Sequence, residues 1–331
     1  MRPARGRALG VALAFAAALA VWAGPAGAAG SPGPAIQYPA ALIVKSELSY
    51  KANLVRDHVP KGPELVFFGG SRSQRFDPAY AKAKTGLRSA NFAMSNGRPE
   101  SAWAVANWLY KRYPSVKQRW VIGVQTSMFH DRDLNPGVLQ DSRFYTYFPK
   151  DLLDQQRQHL PKTVAQMPKH TFLEGNRYGP TGMLTWCSYD RRRAAGVPLC
   201  TILTQYIAMM RKRAAGGANG GSSDRAPLYF EKWLGLLNAQ GTTPVIVLMP
   251  VHPRVLAAMK SQHSPELRAQ DTLASYLAKL SATYQFKLFD FTRIGSFGGK
   301  PADFYDGVHI TQANANRIIA ALAKRAGDAL K

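Results

Sequence analysis

Three residues far apart in the chain have the types that acyl chemistry needs. Ser71 follows Gly69-Gly70 at the end of the apolar run Glu64-Leu-Val-Phe-Phe68. Glycines at such a point let the chain turn tightly and bring backbone N–H groups near a ligand. A serine hydroxyl is a weak nucleophile until a base takes its proton. Among the seven histidines, His309 has the best context for that base, in Phe304-Tyr-Asp-Gly-Val-His-Ile-Thr311 just before the last helix. Asp306 precedes it by three residues with Gly307 between them, so a turn lets the carboxylate reach the imidazole and fix its tautomer.

A developing oxyanion needs donors. The Ser71 amide is one. Asn96 and Gly97, in Asn91-Phe-Ala-Met-Ser-Asn96-Gly97-Arg98-Pro99, both tolerate left-handed backbone and can turn an N–H inward. Ser127, in Gln125-Thr126-Ser127, brings a polar group to the same rim. Arg72 and Arg98 flank the site as binders of an anionic substrate group, against pairing with Asp77 or Glu100. His252, in Met249-Pro-Val-His-Pro253, either lines the site or lies in a surface turn. Ser73 is a second possible nucleophile, more simply a helix cap. His130-Asp131-x-Asp133 reads as a polar loop and not as a metal site, and no cofactor is expected.

The elements that must position these residues alternate along the chain. Strands are expected at Glu64–Phe68, Leu87–Met94, Arg119–Gln125, Thr243–Met249 and Phe286–Phe291, mostly continuous apolar runs suited to a sheet buried on both faces. Helices are expected at Pro78–Lys84, Pro99–Tyr113, Leu228–Ala239, Glu266–Tyr284 and Gln312–Leu330. The first opens on Asp77-Pro78, an N-cap with proline at the first helical position. Trp103, Trp108 and Tyr110 have core spacing on the second. This order predicts a doubly wound α/β fold with a mainly parallel five-stranded, flavodoxin-like sheet, whose ligands sit outside the carboxyl ends of the strands. Residues 126–225 exceed one strand–helix unit and are expected to be an inserted, partly helical cap. They carry Arg191-Arg192-Arg193 and Arg211-Lys212-Arg213 and end in a glycine-rich tract, 216–223.

The GGS block at 69–71, NFAMSNG at 91–97 and DGVH at 306–309 resemble the SGNH hydrolase superfamily of GDSL esterases. The resemblance covers the α/β core and not residues 126–225. It implies Ser71 as nucleophile with Asp306 and His309 as the paired acid and base. The family glycine falls on Asn96 with Gly97 beside it, and the family asparagine near Ser127. Gly70 stands where the family has aspartate. The wording GGSRSQRFDP and DGVHIT is similar to exported, often membrane-tethered members acting on cell-envelope polymers, relatives of the teichoic-acid D-alanylation protein and of polysaccharide O-acetyltransferases. The resemblance therefore implies a serine esterase or O-acyltransferase working through an acyl-Ser71 intermediate. The alternative is a non-catalytic binding or assembly protein for envelope polysaccharide.

Composition bears on compartment and partner. Arg2, Arg5 and Arg7 precede the apolar run Leu9–Trp22 of 14 residues and the small-residue site Ala26-Gly27-Ala28, the pattern of a signal peptide over 1–28. The run is short for a membrane span, although an uncleaved anchor is the other reading. Residues 29–60 are expected to be an extended lead and 61–331 the SGNH-like domain. The net charge of +23, from 43 basic and 20 acidic residues, favours an anionic polymer or a membrane surface. Zinc-finger spacing and RNA-binding aromatic signatures are missing from the sequence, so nucleic acid is not expected as a partner. An exported chain with two cysteines, Cys187 and Cys200, is expected to join them.

Overall fold

The computed structural model describes residues 46–159, 176–215 and 223–331. The signal segment, the lead up to residue 45 and most of the glycine-rich tract lie outside the described residues. Among the described residues seven strands occur, β1 (Leu65–Gly69), β2 (Ser89–Asn91), β3 (Arg119–Val124), β4 (Arg177–Tyr178), β5 (Leu184–Trp186), β6 (Val245–Leu248) and β7 (Lys287–Asp290). Five of them form one all-parallel sheet in the order β2-β1-β3-β6-β7, and β4 and β5 form a separate antiparallel hairpin. The sheet is the expected doubly wound one, with the chain order reversing between β1 and β3.

Alternation along the strands divides the core into two. Val66, Phe68, Ile122, Val124, Ile246 and Leu248 face one side, against helices Glu47–His58, Pro99–Arg112, Arg225–Ala239 and Pro265–Leu280. Leu65, Phe67, Val121, Val245 and Val247 face the other, against Pro78–Thr85 and Gln312–Arg325. A strand buried on both faces cannot alternate apolar with polar, which is why these segments read as unbroken apolar runs. Trp108 lies in the first core, as its spacing predicts.

Helix ends follow local chemistry. Asp77 accepts a hydrogen bond from the Ala79 amide (2.8 Å), Pro78 opens the helix and Gly86 closes it with a left-handed φ of 77°. The final helix ends at Arg325 and continues only as a 3₁₀ turn, Gly327–Leu330, so it is shorter than expected.

Two expectations are corrected. The lead is not extended throughout: Glu47–His58 is a helix capped by Ser46, with Leu48, Ala52 and Val55 on its buried face. That spacing of four and three residues is a helical stripe, masked in the sequence by Glu47 and Lys51, which are buried as well. Cys187 and Cys200 are free thiols. Cys187 is buried beside Asp190 and Arg75, whereas Cys200 is exposed on the helix Leu199–Ala215.

The insertion is partly helical, as expected, and it is not one detached cap. Val138, Leu139, Phe144, Phe148 and Leu153 belong to the first core. The later part meets the turns at the carboxyl ends of the strands: the Asn91 amide donates to the Thr181 carbonyl (2.8 Å), the Leu184 amide to the Gln74 carbonyl (3.0 Å), and Tyr189 stacks on His309. Among the described residues no helix is long and apolar enough to cross a membrane.

Candidate active site

Ser71 begins a 3₁₀ turn, Ser71–Ser73, directly after β1. Asn91, at the end of the neighbouring β2 and fully buried, fixes this turn. Its Nδ2 donates to the carbonyls of Ser73 (3.1 Å), Gln74 (3.3 Å) and Phe76 (2.8 Å), and its Oδ1 accepts from the Ala93 amide (2.8 Å). The strand pair therefore carries the turn as a rigid unit. Two close approaches explain the glycines. A Cβ on Gly97 would sit 2.1 Å from the Gly69 carbonyl oxygen, and one on Gly70 would sit 2.5 Å from Gln125 Nε2.

The DGVH turn comes to the same edge from the other end of the chain. His309 Nε2 is 2.8 Å from Ser71 Oγ, and His309 Nδ1 is 2.8 Å from Asp306 Oδ2. The other carboxylate oxygen, Oδ1, accepts from the Val308 and His309 amides, both at 2.8 Å. Burial alone pushes the Asp306 carboxyl up. The hydrogen bond and charge of His309, with the two amides, outweigh burial and hold it below the usual carboxylate range. An ionised Asp306 accepts a hydrogen bond from Nδ1–H, which leaves Nε2 as the acceptor facing the serine hydroxyl. The arrangement can move a proton off Ser71 Oγ and store it as an imidazolium beside a fixed carboxylate.

The remaining expected residues divide. Ser73 is fully buried, its Oγ wedged against Gly69 and Gly123, and presents no hydroxyl to a ligand. Arg72 lines the cleft at the ends of β3 and β6. Arg98 does not serve the cleft: it is buried and paired with Glu100 (3.2 Å), which also holds Arg225 (2.9 Å). A carboxylate two residues along met that guanidinium before any ligand. His252 is a buried cap, its Nδ1 accepting from the Arg254 amide (3.1 Å) and its ring packed on Phe304. Its own amide donates to the Gly307 carbonyl (2.9 Å), so it braces the turn that carries His309. Burial, helped by Arg254, lowers its pKa and favours the neutral ring that a cap acceptor requires.

The residues expected as oxyanion donors are placed as follows. The Gly97 amide is taken by the Met94 carbonyl (3.0 Å), so Gly97 contributes close packing and not an N–H. Asn96 has the left-handed φ expected of it (53°), but it is exposed and its Oδ1 accepts from Arg132 (3.0 Å). Ser127 Oγ accepts from Gln125 Nε2 (2.8 Å). The amide that reaches Gly70, one residue before Ser71, is therefore that of Gln125, with Ser127 behind it. The Ser71 N–H has no acceptor among the described residues. Gln125 was visible as the polar residue ending the run Val121-Ile-Gly-Val-Gln125 at the ligand edge.

Tyr189 could not be found that way. It lies in the insertion, stacked on His309 with ring centroids 4.5 Å apart, and its hydroxyl is 3.4 Å from His309 Nε2. Next to it, Asp190 accepts from Tyr305 Oη (2.6 Å) and the Cys187 amide (2.8 Å) and pairs with Arg75. Among the described residues no cluster of three metal-ligating side chains occurs, and Asp133 pairs with His159 (2.8 Å).

The fold and site define a class: a parallel α/β protein with a hydrogen-bonded Ser–His–Asp series at the carboxyl edge of its sheet. Neither a protein-family model nor a curated protein matches the sequence.

Proposed function

We propose that this protein is a serine esterase or O-acyltransferase of the SGNH type, exported, acting on acyl esters of an envelope glycan or polymer. The observation that carries the reading is the pair of 2.8 Å contacts from Ser71 Oγ through His309 to Asp306. In this reading Ser71 Oγ attacks the ester carbonyl carbon as its proton passes to His309 Nε2. The carbonyl oxygen takes up the electron pair and is met by the Ser71 N–H and the Gln125 amide. Collapse breaks the bond to the alcohol, which leaves with the proton from Nε2, and the acyl group stays on Ser71. Water or a sugar hydroxyl then releases it by the same steps in reverse order. Asp306 stays ionised throughout and balances the imidazolium.

The motif order GGS, NFAMSNG and DGVH supports the SGNH assignment, as does the strand order. The N-terminal pattern supports export, and the basic surplus supports an acidic polymer or membrane surface as partner. The test is Ser71→Ala. It should abolish hydrolysis of p-nitrophenyl acetate and remove labelling by a fluorophosphonate probe. A variant that keeps more than a tenth of wild-type turnover sinks the assignment of Ser71.

A further inference from the structure

Arg72 follows the proposed nucleophile and lines a cleft with about 300 Å³ of empty space, part of it open to solvent. Gln125, Thr126, Leu248, Leu273 and Thr292 are among the other walls, and no carboxylate of the described residues lines the cleft. The guanidinium makes no ion pair or hydrogen bond with any described residue. Five other arginines, by contrast, each have a carboxylate: Arg75 has Asp190, Arg98 and Arg225 have Glu100, Arg143 has Asp141, and Arg317 has Asp303. The acid whose charge reaches Arg72 is Asp306, whose oxygens are already taken by His309 and two amides. Burial disfavours the charge of Arg72, with Tyr206 and Asp306 opposing. Arginine nevertheless stays protonated in proteins. Arg72 is half-buried, and a cation held there without a counter-ion is available to an oxyanion bound in two-point fashion.

We infer that Arg72 is the receptor for an oxyanion on the substrate, a carboxylate or a phosphate, so that the ester presented to Ser71 belongs to an acidic molecule. The inference rests on the Ser71 reading for the word "substrate" and on the cleft alone for the anion. The enclosed part of the cleft is small, with room for no more than one charged group beside Arg72. The open side leaves the rest of a polymer outside. Specificity then comes from the anion, beside a nucleophile whose own chemistry tolerates many acyl groups.

The experiment compares three acetyl esters: acetylated methyl glucoside, acetylated methyl glucuronoside and acetylated glucose 6-phosphate. Acetate release is followed in wild type, Arg72→Gln and Arg72→Lys. Wild type should favour an acidic ester, and the favoured one identifies carboxylate or phosphate. Arg72→Gln should reduce the acidic-to-neutral ratio of kcat/KM by about ten- to a hundredfold, the range for a charge-assisted hydrogen bond. Arg72→Lys, which keeps charge but not the planar fork, should fall between. An unchanged ratio in Arg72→Gln overturns the inference, as does a wild type without preference. An equal fall on all three esters also overturns it, because it makes Arg72 a stabiliser of the reacting oxygen and not a receptor. Binding of methyl glucuronoside and glucose 6-phosphate to Ser71→Ala, with and without Arg72→Gln, is measured by calorimetry. Arg72-dependent binding without turnover of any ester would uphold the anion site and sink the esterase. Ser71-dependent turnover with Arg72-independent selectivity would do the reverse.

Discussion

Asp306→Asn isolates what the carboxylate contributes. Asparagine is isosteric, and its Oδ1 can keep both hydrogen bonds from the Val308 and His309 amides (2.8 Å each). Its NH₂ then replaces the oxygen that lies 2.8 Å from His309 Nδ1. Two donors cannot face each other, so the imidazole proton moves to Nε2. Nε2 then points an N–H at Ser71 Oγ, across a contact of 2.8 Å that formerly held the base. The turn keeps its shape while the base is lost. A misplaced tautomer of this kind is worth about 10³–10⁴ in rate, or roughly 4–5.5 kcal/mol of barrier.

A second readout does not depend on catalysis. Asp306 is held below its ordinary range in the folded protein. The unfolded chain therefore takes up that proton first as pH falls, near the usual aspartate value of about 3.9. The stabilisation is fully present above that value and is lost as pH falls through the lower folded one. The Asp306→Asn variant should lack this part of the acid limb in urea denaturation. At neutral pH its stability should fall by only about 1–2 kcal/mol, for the charge-assisted bonds exchanged for neutral ones. The kinetic assay is kcat/KM for p-nitrophenyl acetate together with the rate of fluorophosphonate labelling of Ser71. A folded variant that keeps more than a tenth of either rate refutes the tautomer argument. An unchanged acid limb refutes the assignment of the carboxylate as a stabilising charge.

Gly97→Ala should cost about 1–3 kcal/mol in urea denaturation and slow Ser71 labelling, because the new Cβ would meet the Gly69 carbonyl at 2.1 Å and the backbone must move; an unchanged midpoint with unchanged labelling counts against that contact. Lys51 is fully buried beside Glu47, and burial lowers its pKa to about 8 against the pull of that carboxylate. Its folded value lies below the unfolded one, so the unfolded state holds more protons between about pH 8 and 10.4 and stability should rise with pH there, by on the order of 3 kcal/mol. Lys51→Met should abolish that rise, and a wild type whose stability curve matches the variant's over the same range would show that Lys51 is not the titrating group.

The strands were legible because a sheet covered on both faces demands continuous apolar runs, and Leu65–Gly69, Arg119–Val124 and Val245–Leu248 are such runs. The approach of Ser71 to His309 was legible for a related reason: in a parallel sheet every strand ends at one edge, so residues just past β1 and just before the last helix share it. What failed involved contacts with no local signature. Tyr189 meets His309 across 120 residues of separation, through an insertion whose path no periodicity encodes. The Cys187–Cys200 pairing has only compartment and loop length behind it. It fails because Cys187 is held in the Arg75–Asp190 cluster and Cys200 faces solvent. Arg98 took the pairing the sequence offered as its alternative, Glu100, which also holds Arg225. A buried cation goes to an available carboxylate, and Glu100 lies only two residues from Arg98.

The insertion joins the two turns that carry the site. Asp190 pairs with Arg75, on the chain just after the Ser71 turn, and accepts from Tyr305, one residue before Asp306. Gln312, at the start of the last helix, donates to the Arg75 carbonyl (3.0 Å). Tyr189 lies on His309 itself, and Tyr305 stacks on Tyr189 at 5.8 Å. The Ser71 and His309 turns are thus tied to each other through the residue pair 189–190 as well as directly. A loosened insertion would free the imidazole on one face and release Arg75 and Tyr305 at the same time. The later part of the insertion therefore holds the Ser71 and His309 turns together through Tyr189 and Asp190, beside the direct contact between Ser71 and His309.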